Sequence, residues 1–261
     1  MSSIVSLPQC VVDLIAAGEI VQRPSSVAKE LIENSLDADS TSIEVTCERG
    51  GLESLQITDD GNGMSKDDLK MAAVRFATSK LSKFEDLRSI RTFGFRGEAL
   101  ASASMVSRLT IISQRRADPL AHKCQYSDGA YDPSTLRPSA GVPGTTVRVS
   151  ELFYNVPSRL KSFKKPSEEY ARILAVCQRY ALHRAAEGVG FVCKKKAGST
   201  VDLNTKTIPS VRDLSLRRSA EPPLPLPDVV KGKARKEVRA CRVRERPTQW
   251  NCVVKRPRFK S

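Results

Sequence analysis

The segment that most constrains this chain is a predicted helix at Pro24–Asp37, which is apolar on one side and polar at the border of that side. Proline suits the first helical position, because the N–H group that it lacks would have no intrahelical partner there. Glu30, Asn34 and Asp37 follow i, i+4 and i+7 spacing, so their side chains meet beside the apolar arc. At about 100° per residue, that arc contains Val27, Ala28, Leu31, Ile32 and Leu36. The helix therefore predicts a buried face with a polar corner at its border.

This polar corner has two interpretations. The first is a solvated stripe, which is the ordinary role of charged residues on a helix. The second is a metal and water site, in which the Asn34 amide oxygen binds Mg²⁺ and Glu30 takes a proton from an attacking water. The helix alone leaves both interpretations open.

A second candidate segment follows a predicted hairpin. Residues 42–47 and 53–58 alternate in polarity and predict two strands, joined by a turn at residues 50–51. The second strand leads into Asp59-Asp60-Gly61-Asn62-Gly63, where two glycines let the backbone turn sharply and approach a ligand. Asp59 is placed to accept a hydrogen bond from an exocyclic amino group. The alternative is an ordinary tight turn, for which these residue types are common.

A third candidate segment is the glycine-bracketed loop from Gly94 to Glu98, which leads into a predicted helix at Ala99–Met105. A glycine loop that enters a helix presents free N–H groups, which suit phosphate. Its spacing matches neither the Walker pattern nor Gly-x-Gly-x-x-Gly, so the sequence does not support a P-loop or a Rossmann site.

The remaining periodic segments predict further helices and strands. Ser65 and Ser167 precede helical patterns and are predicted N-caps. The further predicted helices cover residues 9–18, 67–75 and 167–187, with a short helix or turn at 84–91, and the further strands cover residues 106–113, 122–127, 144–149, 189–195 and 200–203.

Composition limits the class of protein. The 261 residues, 40% of them hydrophobic, suffice for one large domain or two modest ones, and no stretch approaches the ~20 apolar residues of a membrane span. The N-terminus lacks the basic start and apolar core of a signal peptide. Seven scattered cysteines form no Cys-x-x-Cys pair and only two histidines accompany them, which predicts reduced thiols rather than a zinc site.

Positive charge is concentrated at the C-terminal end. From Lys206 onward there are 16 Lys and Arg against 5 Asp and Glu, a net +11, which leaves only +3 of the formal +14 for residues 1–205. We therefore expect a folded domain at 1–205 and a basic, Pro-rich tail without a compact fold at 206–261. Three interpretations of the tail stay open: a disordered or artefactual end, a nuclear-import or DNA-binding segment at 231–246 and 255–260, or a folded domain.

The candidate segments occur in a specific order, which resembles the ATP site shared by type II topoisomerases, ninety-kilodalton heat-shock chaperones, sensor histidine kinases and MutL proteins, the GHKL class. The linking residues are similar to the MutL mismatch-repair family, and those of 83–90 and 166–170 resemble one eukaryotic branch, the shared subunit of MutL heterodimers. The resemblance covers about residues 4–210. It rests on Ile15-Ala-Ala-Gly-Glu19-Ile-Val-x-Arg23-Pro, Thr78-Ser-Lys80, Gly94-Phe-Arg-Gly-Glu-Ala-Leu100, Gly144-Thr145 and Leu152-Phe-Tyr-Asn-Val-Pro157.

The resemblance implies a fold and a set of site residues. The fold is α/β: a Bergerat-type two-layer sandwich, with a mixed, mostly antiparallel sheet covered by helices on one face. Glu30 is the implied general base, Asn34 the Mg²⁺ ligand and Asp59 the acceptor for the adenine amino group. Asp60 departs from the family, in which asparagine is common at that position. The implied cofactor-binding residues are Asn34, Asp37, Ala38, Asp59, Gly61, Gly63, Thr78, Ser79, Lys80, Gly94, Phe95, Arg96, Gly97, Glu98, Ala99, Leu100 and Thr145.

By the same resemblance the chain is an ATP-binding and ATP-hydrolysing mismatch repair protein, in which ATP closes a lid, brings N-terminal domains together and changes the grip on DNA. Its implied cofactors are ATP and Mg²⁺. Its implied partners are a second MutL homologue, MutS homologues and DNA held mostly through phosphates, with no membrane. The implied localisation is the nucleus.

The alternative function is a nucleotide-binding module without effective hydrolysis. After residue 210 the sequence matches neither the second, ribosomal-protein-S5-type domain of the family, which should bring a lysine to the γ-phosphate, nor a dimerisation domain; that second domain is missing or replaced by an irregular tail. A histidine-kinase function is disfavoured because His183 has no acidic neighbour arranged as a base, and a chaperone function lacks the linking residues.

Overall fold

One sheet of eight strands runs through the part of the chain that the computed structural model describes, which is residues 4–81, 83–198 and 200–206. The predicted basic tail from 207 onward, with its candidate DNA and import segments, lies outside the described residues. The strands are β1 Ser42–Glu48, β2 Ser54–Asp59, β3 Arg108–Gln114, β4 Ala121–Ser127, β5 Ala130–Ser139, β6 Gly144–Ser150, β7 Gly190–Lys195 and β8 Val201–Asn204.

The sheet is mixed and mostly antiparallel, as predicted. Its order is β5-β4-β3-β6-β2-β1-β7-β8, and within the described residues only β1 and β7 pair in parallel, with Val45 opposite Cys193. The predicted hairpins β1–β2 and β7–β8 are both present, and Val45 lies opposite Ile57 in the first of them. Parallel pairing needs a long connection, and here the whole chain between β1 and β7 supplies it.

The helices lie on the face of the sheet to which the apolar side chains of the strands point. Alternate residues of β1 and β2 are fully buried, and the residues between them are half-buried. Ile32 of the central helix shares one core with Ile43 of β1 and Ile173 of the long helix. The described α-helices are α1 Gln9–Ile20, α2 Pro24–Asp37, α3 Lys66–Met71, α4 Ala99–Met105, α5 Pro157–Ser162 and α6 Pro166–His183.

Helix α1 ends later than predicted. Gly18 was expected to terminate it, but the helix continues to Ile20. The guanidinium of Arg159, on α5, donates hydrogen bonds to the carbonyl oxygens of Gly18 and Val21 at 2.9 and 3.0 Å. These bonds give hydrogen-bond partners to carbonyl groups at the end of α1. Without Arg159, a glycine cap next to the helix end would have to provide them. The helix end is therefore fixed by a residue distant in sequence.

Two further helix boundaries correct the predictions. Ser65 caps α3 as expected, in a capping box with Asp68, but α3 stops at Met71 instead of residue 75. Ser167 is not an N-cap: α6 begins at Pro166, after Lys165, and no side chain caps it. The helix ends at His183, and residues up to 187 form a separate 3₁₀ turn.

Strand β5 is an element that the sequence did not predict. It contains Pro133 and Pro138, which normally argue against a strand because proline cannot donate to the hydrogen-bond ladder. Its place at the outer edge of the sheet explains the exception, since only one side of β5 pairs with another described strand, β4.

The described residues contain no disulfide, no metal-binding cluster of His, Cys, Asp or Glu, and no membrane-spanning helix. The cysteines of the described residues are free; Cys10 is exposed, and Cys47, Cys124, Cys177 and Cys193 are buried. Within the same residues, no three His, Cys, Asp or Glu side chains are grouped so as to hold a metal. None of the described helices has the length and apolar character needed to cross a membrane.

Candidate functional site

A cavity of about 880 Å³ lies between α2, the end of β2 and the two segments 77–80 and 93–100. It brings together predicted site residues from five separate stretches of the sequence. Gly61 is the exception: it packs against Ala38 and Ser40 outside the lining, and its N–H donates to Asp59 at 3.0 Å. The predicted residues that line the cavity are Glu30, Asn34, Asp37, Ala38, Asp59, Gly63, Thr78, Ser79, Lys80, Gly94, Phe95, Arg96, Gly97, Glu98, Ala99, Leu100 and Thr145.

Asp59 is the buried acid at the end of β2. Its Oδ1 accepts the backbone N–H groups of Gly61 and Thr145, at 3.0 and 3.1 Å. Its Oδ2 accepts only the Ser35 hydroxyl, at 2.8 Å, among the described residues. Burial raises the pKa of Asp59, and these hydrogen bonds oppose that rise. Asp59 therefore lines the cavity with a carboxylate whose Oδ2 can accept a further hydrogen bond.

Gly63 and Thr145 are held beside Asp59 by backbone geometry. Gly63 has φ +69°, and a Cβ there would lie 2.1 Å from the carbonyl oxygen of Gln114, so only glycine fits. The hydroxyl of Ser113 lies 2.8 Å from that of Thr145 and also accepts the N–H of Met64 at 2.8 Å. The turn after β2 is thereby tied to strands β3 and β6.

Asp60, the departure from the family, fits this structure as an anion. Its Oδ1 accepts the N–H groups of Thr41 and Ser42, each at 2.8 Å, and its Oδ2 accepts the Thr41 hydroxyl at 2.6 Å. Burial opposes ionisation, but these donors outweigh it and lower the pKa of Asp60. Asp60 is not among the residues that line the cavity, and the hydrogen bonds of Asp59 are made by other residues.

The polar corner of α2 holds a positive charge. The Lys80 ammonium lies 2.6 Å from Asp37 Oδ2 and 3.1 Å from Asn34 Oδ1. Asp37 also accepts the backbone N–H groups of Phe93 and Gly94, at 2.9 and 3.0 Å. A Cβ on Gly94 would lie 3.1 Å from the Lys80 ammonium, so glycine at this position leaves room for the lysine. Amide and carboxylate oxygens thus converge on one cation position.

The loop before α4 is anchored to the segment that carries Lys80. Gly97 has φ +65°, and a Cβ there would lie 2.2 Å from the carbonyl oxygen of Ala77. The N–H of Phe76, itself at φ +63°, donates to the Gly97 carbonyl at 3.1 Å. The guanidinium of Arg75 joins Glu98, at 3.1 Å, to Asp13 of α1, at 2.8 Å. Glu98 is therefore engaged in an ion pair at the cavity wall.

Sequence reasoning missed three polar residues of α2 that line the cavity. Ser35 lies in the middle of the apolar arc of α2, and a hydroxyl among apolar neighbours was the available signal. Lys29 and Glu33 also line the cavity and form an i, i+4 ion pair at 2.7 Å. That spacing was visible, but the burial of Glu33 depends on α6 and had no local signal.

The sheet order, the acid turn after β2 and the polar corner of α2 around one cavity define an ATPase domain of the GHKL class. Residues 22–137 match the family described as "Histidine kinase-, DNA gyrase B-, and HSP90-like ATPase". The structure resembles that of the "N terminal domain of a DNA repair protein", with a TM-score of 0.65 at 32% identity, covering 80% of this chain and 60% of the other. It also resembles the Aquifex aeolicus MutL ATPase domain complexed with ADP, with a TM-score of 0.56 at 26% identity, covering 75% and 68%.

Within that class the chain belongs to the MutL family of DNA mismatch repair proteins. It is 46% identical over 208 residues to the DNA mismatch repair protein MLH1 of Saccharomyces cerevisiae, covering 80% of this chain and 27% of the relative. It is 48% identical over 178 residues to the MutL protein of Yersinia pestis, covering 68% and 28%. The chain therefore spans between a quarter and a third of the length of these relatives.

Proposed function

We propose that the cavity binds ATP with Mg²⁺ and that Glu30 promotes its hydrolysis. The observation that carries the proposal is that Glu30 and Asn34, from one sequence motif, and Asp59, from another, line one cavity of about 880 Å³. The volume falls within the range of small-molecule and cofactor sites. The similar MutL domain of Aquifex aeolicus, which was solved with ADP, supports a nucleotide as the ligand.

Asp59 is proposed to recognise adenine. The amino group of adenine donates hydrogen bonds, and Asp59 Oδ2 has only the Ser35 hydroxyl as a partner among the described residues. Gly63 keeps the backbone close, without a side chain in the way, and Thr145 is held beside the acid by its own N–H bond to Asp59. A base that lacks the exocyclic amino group would leave this buried acceptor less well satisfied.

The donor set at Asn34 fits magnesium. Hard oxygen ligands suit this ion, which commonly takes one or two protein oxygens together with substrate phosphates. The Lys80 ammonium already lies between Asn34 Oδ1 and Asp37 Oδ2, so this position favours positive charge. Bound magnesium would supply charge neutralisation to the phosphates. Lys80 would leave Asn34 to admit it, and the loop of Gly94–Leu100 would surround the phosphate chain.

Glu30 is proposed as the general base. Its carboxylate would accept a proton from a water whose oxygen attacks the γ-phosphorus. The bond from the γ-phosphorus to the bridging oxygen then breaks, and ADP leaves with the bonding electron pair. Glu30 lines the cavity one helical turn from Asn34, which puts the base and the metal ligand on the same side of α2.

At the level of the whole protein, we propose an ATP-driven switch in DNA mismatch repair that acts in the nucleus. ATP binding would draw the lid segment 78–80 over the nucleotide and bring two N-terminal domains together. A second MutL homologue, MutS homologues and DNA are the proposed partners. Family membership supports this proposal, since both of these relatives are named as DNA mismatch repair proteins.

A binding module without effective hydrolysis is the second candidate function. The observation that favours it concerns the lysines that line the cavity among the described residues, Lys29 and Lys80. Both are already in ion pairs, with Glu33 and Asp37 respectively. In the folded part that is described, no unpaired lysine therefore faces the position of a γ-phosphate.

Substitutions at Glu30 and Asn34 separate the two functions. Glu30→Ala is expected to retain ATP binding and lose hydrolysis, because it removes the base and leaves the metal ligand. Asn34→Ala is expected to lose Mg-dependent nucleotide binding. Glu53→Ala, an exposed carboxylate away from the cavity, is the control. Binding would be measured by equilibrium titration and hydrolysis with radiolabelled ATP. Equal hydrolysis by Glu30→Ala and the unmodified chain would exclude Glu30 as the base.

A further inference from the structure

A hydrogen-bonded chain joins the long helix α6 to the proposed base on α2. The Tyr180 hydroxyl, on α6, donates to Glu33 Oε1. Glu33 Oε2 accepts the Lys29 ammonium at 2.7 Å, and the same ammonium lies 3.1 Å from Glu30 Oε1. Four side chains therefore connect in series, and the last of them is the group that is proposed to activate water.

Among these four side chains, Glu33 depends most on its hydrogen-bond partners, because it is buried. Glu33 is only 8% exposed, and the burial of a carboxylate is costly unless hydrogen-bond donors reach its oxygens. Tyr180 satisfies one oxygen and Lys29 the other. Burial and the bond to Glu33 raise the pKa of Tyr180, so its hydroxyl keeps its proton and remains a donor at neutral pH.

Lys29 transmits the position of Glu33 to Glu30. Burial alone would lower the pKa of Lys29, but the hydrogen bonds to Glu33 and Glu30 outweigh it and raise that pKa, so the ammonium stays charged. It contacts Oε1 of Glu30, whereas Oε2 has no hydrogen-bond partner among the described residues. One oxygen is therefore held in place while the other is available to water.

Tyr180 is itself fixed from the cavity side. Its ring packs edge-on against Phe93, with centroids 6.0 Å apart and an interplanar angle of 80°. Phe93 lines the cavity, and its N–H is bound to Asp37 at 2.9 Å. The guanidinium of Arg184, one turn after Tyr180, lies 4.9 Å from the Phe93 ring centroid. The tyrosine therefore has little freedom to turn away from Glu33.

From this arrangement we propose that Tyr180 is a positioning residue for ATP hydrolysis. It holds Glu33, which anchors Lys29, which in turn orients the carboxylate of Glu30 toward the attacking water. The inference rests on the proposed function, because it takes Glu30 as the base. It adds a residue of α6 that touches neither nucleotide nor metal and that acts only through other side chains.

Tyr180→Phe tests the proposal, because it removes one oxygen and keeps the ring against Phe93. Tyr170→Phe is a matched control: Tyr170 lies on the same helix and donates to a carboxylate, Asp202, away from the cavity. Single-turnover hydrolysis would be followed with the full chain in excess over radiolabelled ATP. We expect Tyr180→Phe to slow hydrolysis by about tenfold while its ATP Kd stays within about twofold, because the base is misplaced and the binding residues are untouched.

Glu33→Gln provides a second, independent measurement. The amide still accepts from Tyr180 but has no charge to anchor Lys29, so hydrolysis should slow to a similar extent. If the residues act as one unit, the Tyr180→Phe, Glu33→Gln double variant should be little slower than either single variant.

Several outcomes would overturn the inference. Equal rates for Tyr180→Phe and Tyr170→Phe, or a fall in rate matched by weaker ATP binding, would reduce Tyr180 to a structural residue while Glu30 remains the base. If the two substitutions slow hydrolysis multiplicatively in the double variant, Tyr180 and Glu33 act independently and the proposed series is wrong. If the unmodified chain hydrolyses no faster than Glu30→Ala, the proposed base fails, and the positioning role fails with it.

Discussion

Asp59, the proposed acceptor for adenine, also affects the stability of the fold. Its pKa is raised by burial, so the folded chain binds a proton there more readily than the unfolded chain does. Its contribution to stability is therefore most favourable at a pH below the pKa of the unfolded chain, which is about 3.9. The contribution is lost as the pH rises through the higher pKa of the folded chain. The ionised form of Asp59 therefore lowers the stability of the fold, and such destabilised groups are common in binding sites.

We predict that Asp59→Asn weakens ATP binding about ten- to a hundredfold while the chain stays folded. The asparagine carbonyl can accept the N–H groups of Gly61 and Thr145. Its amide can donate to Ser35, whose hydroxyl lies 3.1 Å from the Leu31 carbonyl and can turn to it. At pH 7 the variant should therefore unfold at a temperature equal to or higher than that of the unmodified chain. This difference in unfolding temperature should shrink toward pH 4.

Asp60→Asn is the contrasting variant for calorimetry and nucleotide titration. The pKa of Asp60 is lowered, so its contribution to stability is present above the unfolded value and disappears as the pH falls through the folded one. It should lose stability at pH 7 and bind ATP normally. Equal loss of ATP affinity in both variants would exclude adenine recognition by Asp59 in particular.

Local motifs explain which residues the sequence could assign to the cavity. Asn34, Asp59 and Gly63 belong to short patterns whose chemistry is readable from neighbours a few positions away. Tyr180 lies 147 residues from Glu33, and its contact exists only because α6 packs on α2. No periodicity within either helix could have predicted that pair.

At the scale of elements, prediction succeeded where local signals and tertiary packing agree. The bounds of α2 and α4 agree with the prediction, because α2 begins with a proline and a glycine loop precedes α4. The end of α1 was missed because Arg159 caps it from α5. Strand β5 was missed because its prolines oppose a strand unless the strand lies at an edge, and edge position is a property of the whole sheet.

Arg159→Ala should destabilise the chain by about 2 kcal/mol, because a charged donor leaves two carbonyls of the α1 end without a partner. The guanidinium also lies 5.3 Å from the ring centroid of Phe153, so some packing is lost with it. Chemical denaturation would measure the change. Lys161→Ala, an exposed residue on the same helix, is the control and should change little. Equal midpoints for both variants would contradict a capping role.

At the scale of the whole molecule, the uneven charge bears on DNA binding. The folded part has a short basic run, which consists of Arg159, Lys161, Lys164 and Lys165. Arg159 is committed to α1 and Lys165 is paired with Glu168 at 2.9 Å, so two lysines remain unpaired within the described residues. We therefore expect the net +11 of residues 206–261 to be the larger source of contacts with DNA phosphates.

We predict that deleting residues 211–261 removes most non-specific DNA affinity and flattens its dependence on salt, because fewer counterions are released on binding. ATP affinity should change little, since the cavity residues all precede Ser150. Filter binding at several salt concentrations would measure this. A chain of the same length with residues 211–261 replaced by Gly and Ser is the control. An unchanged slope would assign the DNA contact to the folded part.

The parallel pair β1–β7 has a consequence for how this sheet is made on the ribosome. Synthesis runs from the N-terminus, and β7 begins about 140 residues after β1 ends. At translation rates of about 5–20 residues per second, one edge of β1 waits on the order of ten seconds for its partner. An unpaired edge is a template for pairing with another chain. Substitutions that slow the docking of β7 should therefore lower the yield of newly made protein more than they lower the stability of the finished fold.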